Sequence, residues 1–434
     1  MKVFKTLTRA DEALKKFFEV LSLKRLEAEE VEVTKALNRV LAEDLLAPID
    51  VPGFDRAAMD GYAVRASDTF GSSQENPAIL KVVGRIQVGE VPSLEIGSGE
   101  AAEVATGAPI PKGANAVVMV EYTRRLEEDL LEVWQPVTPW ENVSRRGEDA
   151  KRGEILLRAG TRLKPHDLGM LAALGLTKIR VVRHPRIAIL STGSELLEPG
   201  SPIEEGSPRI VDVDKLILSA EVEELGGAPL DLGTVPDELE TIEKRIAEGL
   251  RVADALIVTG GTSVGNKDLV PEAIGRLEPS GMLVHGVALR PGKPTGLAVV
   301  RGKPVLSLSG FPVAAWVGFY VFARPLILSL LGTKEEAPPK VKARMTRRVA
   351  SVPGLKVFLR VIVRREGRQR EKEYEGSGQL LAEPLRTSGS GILSSLLKSN
   401  GLVIIPEEKE GIEAGEEVEV ILLRPIEEIH TKEA

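Results

Sequence analysis

Ile187-Ala188-Ile189-Leu190 runs straight into Ser191-Thr192-Gly193-Ser194-Glu195, and Ala255-Leu256-Ile257-Val258 runs into Thr259-Gly260-Gly261-Thr262-Ser263-Val264-Gly265-Asn266-Lys267-Asp268. Each is a short unbroken apolar run that ends in a polar loop. Unbroken runs mark strands buried on both faces, as in a parallel sheet covered by helices on either side. Around them the pattern alternates: helices at 215–225 and 238–250, strands at 230–232, 295–300 and 305–308, and a long apolar helix from Val313. From Pro185 onward the chain therefore predicts an α/β domain.

Outside this region the texture changes. Thr8, Asp11 and Glu12 precede Leu14, Phe17, Phe18 and Leu21, the signature of a capped amphipathic helix. A second helical pattern covers about 36–45, before Pro48 and Pro52. Short runs at 80–83, 116–120 and 130–134 alternate with Gly/Pro turns, which predicts a small β domain over 48–143. Pro338-Pro339 marks a linker, and short strands with glycine turns follow it.

Bulk properties narrow the function classes. At 434 residues several cores are needed, and 43% hydrophobic with 28% charged residues is ordinary globular composition. A formal charge of -7 argues against a nucleic-acid partner. With no cysteine, thiolate nucleophiles, disulfides and iron–sulfur clusters are excluded. His166, His184, His285 and His430 lack ligand spacing, so any divalent ion would rest on carboxylates and phosphates, which suits magnesium. The apolar stretch 313–323 is broken by Arg324 and Pro325 and reads as a buried helix, not a membrane span. The N-terminus has no basic-then-apolar signal, so a cytoplasmic location is expected.

In open α/β sheets ligands bind beyond the carboxyl ends of the strands. The loops there carry Thr192, Gly193 and Glu195; Thr234-Val235-Pro236-Asp237; Thr259, Gly260, Gly261, Thr262, Ser263, Gly265 and Asp268; Arg290-Pro291-Gly292-Lys293-Pro294; and Ser309-Gly310-Phe311-Pro312. Glycines let backbone amides approach an anion, hydroxyls donate, Arg290 and Lys293 add charge, and Glu195, Asp237 and Asp268 can hold magnesium against phosphate. One glycine-rich turn alone is ordinary. The set predicts a site for a polar, phosphate-bearing ligand. A Walker A loop is excluded, because Asn266 stands at its lysine position. In Pro52-Gly53-Phe54-Asp55-Arg56-Ala57-Ala58-Met59-Asp60-Gly61-Tyr62-Ala63, composition leaves turn-capping and a functional role equally open.

These residues carry a family resemblance. The Ser191–Leu196 and Thr259–Gly265 loops, the Phe54–Ala63 segment, Ala105-Thr106-Gly107-Ala108-Pro109-Ile110-Pro111, Arg145-Arg146-Gly147-Glu148-Asp149 and Asn400-Gly401-Leu402 together resemble the molybdopterin molybdenumtransferase family, which includes the gephyrin E domain. The resemblance implies a multidomain α/β-plus-β chain. A central parallel-sheet molybdopterin-binding α/β domain would span 180–333. An N-terminal helical segment, 1–47, would share a composite domain with 144–179, beside the small β domain at 48–143 and a C-terminal β-barrel-like domain at 334–434. It further implies a homodimer in which Asp60 and Thr106 face, across the dimer, a site built from Glu195, Asp237 and Asp268. Adenylyl-molybdopterin and molybdate or tungstate would be substrates, with Mg2+ as cofactor and AMP released. Thr192, Gly193, Thr259, Gly260, Gly261, Thr262, Ser263, Gly265, Arg290, Lys293, Pro294 and Ser309 would bind the ligands. Molybdopterin adenylyltransferase and cofactor-accepting apoenzymes would be partners.

The chain departs from the family's usual pattern at Arg290 (commonly Lys), Ser194 (commonly Asp), Asp214 (commonly Asn) and Phe311 (in a run commonly reading Leu-Pro-Gly-Asn-Pro). Two other functions compete. A molybdopterin adenylyltransferase would not need 48–143 or the C-terminal β domain. A non-catalytic scaffold related to gephyrin would be expected to lose the acids that this chain keeps.

Overall fold

The computed structural model describes residues 7–21, 23, 25–127, 129–261, 269–334, 338–365, 379–385 and 389–426. Two compact units emerge, one formed by 29–181 and the other by 1–28 with 182–434.

In the second unit the α/β core contains β1 (Arg186–Thr192), β2 (Ala228–Val235), β3 (Ala255–Thr259), β4 (Ser280–His285), β5 (Gly296–Val300) and β6 (Lys303–Leu308). Their spatial order is β2-β1-β3-β6-β5-β4. The first four neighbours in that order run parallel, and β6, β5 and β4 pair antiparallel. The β5–β6 hairpin follows from its connection: two residues, Arg301 (φ 53°) and Gly302 (φ 76°), cannot carry a parallel crossover but suit a tight turn with both φ positive.

Helices α1 (Val213–Glu224), α2 (Leu239–Val252), α3 (Leu269–Arg276), α4 (Pro312–Gly318) and α5 (Arg324–Leu331) cover the sheet. Alternate residues choose the face. Ala188, Leu190, Leu256 and Val258 pack with Ile242, Ile246 and Leu250 of α2 and Val270 and Ile274 of α3. Ile187, Ile189 and Ile257 are equally buried but point the other way. Asp212 caps α1 by accepting from the Lys215 amide at 3.1 Å. The buried Lys215 ammonium pairs with Glu198 and, at 3.3 Å, Asp231.

The apolar helical run is longer than its sequence suggests. Arg324-Pro325 does not end it: a π turn over Phe319–Ala323 joins α4 to α5, a local rewinding that accommodates the proline. The run Pro312–Leu331 is long and apolar enough to cross a membrane by composition, yet 72% of its most apolar window is buried inside the fold, so here it serves as core.

The C-terminal strands close on themselves. Lys356–Arg365 pairs with Leu380–Pro384 and Gly401–Ile405, Lys340–Met345 joins Leu380–Pro384 to Glu417–Leu422, and the last meets Gly401–Ile405. This is a small barrel, filled by Val357, Leu359, Val361, Ala382, Val403 and Val420. The N-terminal helix, Ala10–Val20, buries Phe17, as its period predicts. Its N-cap is Arg9, with no side-chain cap; Thr8 instead bridges Val287.

In the unit 29–181, a mixed six-stranded sheet has the order Ala116–Met119, Gly61–Val64, Glu100–Val104, Ala78–Ile86, Leu130–Val133, Thr123–Arg125. Tyr62, Val64 and Leu131 pack on one face, Ala63, Val104 and Val117 on the other. The segment 36–45 is not helical. Asn38 is left-handed (φ 63°), and Val40 and Leu41 form bridges to Arg162 and Val181, so long-range pairing overrides the local helical pattern. Leu41, Leu45, Leu163, Leu171 and Val181 form one core there.

Candidate functional site

A cavity of about 690 Å3 lies at the carboxyl ends of β1, β2, β3 and β6. That is the edge where an open sheet leaves room for a ligand, and the volume suits a nucleotide-sized molecule. Its wall is formed by Thr192 and Glu195 after β1, Asp237 after β2, Thr259, Gly260 and Gly261 after β3, Ser309 and Gly310 after β6, and Pro294. Apolar walls come from Leu196, Val211, Val213, Leu269, Phe311 and Leu393.

Close packing explains the glycines. Gly260 has φ 81°, and a Cβ there would sit 2.2 Å from the Thr192 carbonyl oxygen. Gly261 (φ 59°) is crowded by Val270 in the same way. Gly193 is buried against Glu195, whose carboxylate a Cβ would meet at 2.9 Å. The Thr259 hydroxyl donates to Ser191 Oγ at 3.1 Å, so it braces the ends of β3 and β1.

The acids of the wall are electrostatically distinct. Burial, then the charge of Glu195, pushes the Asp237 carboxyl above its ordinary value, although the Ser194 amide opposes this. Asp214 also lines the cavity and is 5% exposed. Burial, then Asp212, pushes it up to about 7. Neither Asp212 nor Asp214 is among the predicted site residues. Asp212 has a sequence signal as an N-cap before a predicted helix, whereas Asp214 is marked in the sequence only as a departure from the family's usual pattern.

Several predicted residues lie elsewhere. Arg290 is not in the wall: Leu289–Arg290 pairs in parallel with Lys356–Val357, so its backbone is bound into the barrel's sheet. Lys293 is exposed on the turn that follows, where its carbonyl accepts from the Val287 amide. Only Pro294 of that loop reaches the cavity. Thr262, Ser263, Gly265 and Asp268 lie outside the described residues. Asp60 and Thr106 belong to the other unit and form a pair: Asp60 Oδ1 accepts from the Thr106 amide at 2.6 Å and its hydroxyl at 2.8 Å. These bonds, the amide first, hold the exposed Asp60 carboxyl below its ordinary range.

Sheet, cavity and barrel define an α/β domain with a ligand cavity at its strand edge, followed by a closed β domain. Comparison with known proteins narrows the class. Residues 8–175 match the MoeA N-terminal region (domain I and II), 188–329 the probable molybdopterin binding domain, and 342–423 the MoeA C-terminal region (domain IV). The molybdopterin molybdenumtransferase of Bacillus subtilis is 36% identical over 92% of this chain and 91% of its own. A putative molybdopterin biosynthesis protein of Methanocaldococcus jannaschii is 41% identical over 98% and 100%. The crystal structure of a molybdopterin biosynthesis moeA protein from Pyrococcus horikoshii superposes with a TM-score of 0.80 at 37% identity, covering 96% of this chain and all of that one. The chain belongs to the molybdopterin molybdenumtransferase family.

Proposed function

We propose that this chain is a transferase of molybdenum cofactor biosynthesis that inserts molybdate or tungstate into adenylyl-molybdopterin and releases AMP. The observation that carries this reading is the cavity itself. Thr192, Glu195, Asp237, Gly260, Gly261 and Ser309, from four different strand ends, meet around a space of ligand size in a chain related to molybdenumtransferases over nearly its whole length.

The residues also fit magnesium. Among the described residues no group of three potential ligands exists. Magnesium shared with a substrate phosphate needs only one or two carboxylates, however, and Glu195 and Asp237 are close enough for one to raise the other's proton affinity. Mg2+ held there, with Asp268 as a further candidate ligand, would neutralise charge on the phosphoanhydride. The protein's own part is to orient that group with Thr192 and the amides of the Gly260-Gly261 turn. Because the pterin's own sulfurs take up the metal, no protein nucleophile is required, in keeping with a chain that has no cysteine.

The proposal includes a homodimer, with Asp60 and Thr106 as a second set of functional residues, action in the cytoplasm, and exchange with molybdopterin adenylyltransferase and acceptor apoenzymes. The test is incubation with adenylyl-molybdopterin, magnesium and either oxyanion, following AMP and protein-bound metal. AMP appearing only when oxyanion is added supports the reading. ATP consumption with free molybdopterin, and no AMP release from the adenylylated form, would assign adenylyltransferase activity instead.

A further inference from the structure

The wall of the cavity contains four carboxylates, Glu195, Asp212, Asp214 and Asp237, and no lysine or arginine among the described residues. Glu195 and Asp237 have a use in the proposed reaction. Asp212 is committed to the fold, accepting from the Lys215 amide and from Thr234 Oγ1 at 3.3 Å. Asp214 is left. It is 95% buried by its 5% exposure, it lines the cavity, and its Oδ1 has no hydrogen-bond partner.

A buried carboxylate oxygen without a donor is rare in folded proteins, and the missing donor is most simply a ligand's. An unpartnered carboxylate oxygen suits an N–H donor on a flat ring, whose faces the side chains of Val211, Val213, Leu269, Phe311 and Leu393 can cover.

We propose that Asp214 reads the pterin ring of the substrate, its carboxylate accepting from the 2-amino group and adjacent ring N–H of the 2-amino-4-oxopyrimidine edge. This rests on the functional reading above and gives the cavity two ends: Glu195 and Asp237 for the phosphates, Asp214 for the heterocycle.

The proton balance is defined. Burial, then the charge of Asp212, pushes the Asp214 carboxyl up to about 7. The charged groups around it are Asp212 on the same turn and Glu195 and Asp237 in the wall, while Lys215 is occupied by Glu198 and Asp231. An acceptor of two donors must be ionised, so binding a pterin below neutral pH releases one proton from Asp214.

The experiment is a fluorescence titration of the full chain with 6-methylpterin and with 6-methyllumazine, which carries oxygen in place of the 2-amino group. At pH 7 the pterin should bind roughly tenfold more tightly or better, and its affinity should fall about tenfold between pH 7 and pH 5.5. Asp214→Leu, close in size but without an acceptor, should lose both the preference and the slope, whereas Asp214→Asn, which keeps an amide oxygen, should lose the slope. Asp214→Ser serves as the second variant, with circular dichroism confirming the fold of each. A native protein without the preference, or a Leu variant that keeps it, overturns the assignment. AMP release on the same proteins separates the failures: native activity with an unaffected Leu variant rejects Asp214 alone, whereas no pterin binding and no AMP release rejects the functional reading with it.

Discussion

Replacing Gly260 by alanine introduces two separate penalties into the cavity wall. The first is conformational, because Gly260 has φ 81° and a side chain in the left-handed region costs about 1–2 kcal/mol. The second is steric. The new Cβ would lie 2.2 Å from the Thr192 carbonyl oxygen, backbone at the end of β1 that cannot rotate away as a side chain can. Overpacking of this kind costs about 1–3 kcal/mol, so the total is about 2–5 kcal/mol. Gly302 provides the control. It has φ 76° in the β5–β6 turn of the same domain, but nothing lies within 4 Å of its Cβ position, so Gly302→Ala should cost only the first penalty. Trp316, 8% exposed in α4, can report on this domain alone if Trp134 and Trp140 are replaced by Phe. Urea unfolding followed by its fluorescence should place Gly260→Ala below Gly302→Ala by about 1–3 kcal/mol. The Gly260 variant alone should lose AMP release. Equal stabilities for the two variants would refute the steric argument and with it the rigid β1–β3 edge on which the cavity is built.

Other perturbations test other parts. Asp254 accepts both Arg183 guanidinium nitrogens at 2.8 Å and the Arg186 amide at 2.8 Å. Burial raises its proton affinity, but these partners together outweigh burial and leave the carboxyl below its ordinary value. Its contribution is therefore present above the unfolded pKa of about 3.9 and lost as pH falls through the folded value. Asp254→Asn should cost about 2–3 kcal/mol at pH 7 and progressively less below pH 4, by urea unfolding; a pH-independent difference would contradict the ionic account. Asp60→Asn and Thr106→Val should leave the melting temperature unchanged and lower AMP release by roughly tenfold or more, and normal turnover would remove this pair from the proposed chemistry. Glu195→Gln with Asp237→Asn should raise the magnesium concentration needed for half-maximal AMP release. In the native protein that requirement should grow as pH falls, because Asp237 holds its proton more tightly than usual. A requirement unchanged by the double substitution would place the metal elsewhere.

What the chain discloses before folding depends on how far apart the deciding contacts lie. The strands 187–190 and 255–258 are legible because burial on both faces demands an unbroken apolar run, and their loops follow by position alone. The N-terminal helix is legible because Phe17 falls on its apolar face. Segment 36–45 misleads, since Val40 and Leu41 find partners more than a hundred residues away that no local period encodes. The placing of Arg290 is likewise not locally encoded: its backbone pairs with Val357 of a distant strand, and of its loop only Pro294 lines the cavity. The hairpin at Arg301-Gly302 escapes that reading, because strands drawn at 295–300 and 305–308 leave a longer link; the fold starts the second strand at Lys303 and leaves two residues, for which antiparallel pairing is the only geometry.

Asp214 shows the limit most sharply. In sequence it is an acid in the first turn of a helix, where a carboxylate is favoured by the helix dipole and solvated. The cavity it lines is closed in part by residues far along the chain, where the Val313 amide donates to the Ser390 carbonyl at 3.0 Å and a Cβ on Gly391 would lie 3.1 Å from the Phe311 ring. That segment follows the barrel strand Leu380–Pro384, so part of the cavity that Asp214 lines is supplied about 175 positions away. The consequence reaches past this one residue. A strand-edge loop announces that something polar binds, because glycines and hydroxyls are needed wherever backbone meets phosphate. Which heterocycle binds is decided by groups whose desolvation only the assembled walls create, and a change in the barrel-side wall at Gly391 or Leu393 should therefore alter ligand preference without touching any strand-edge loop.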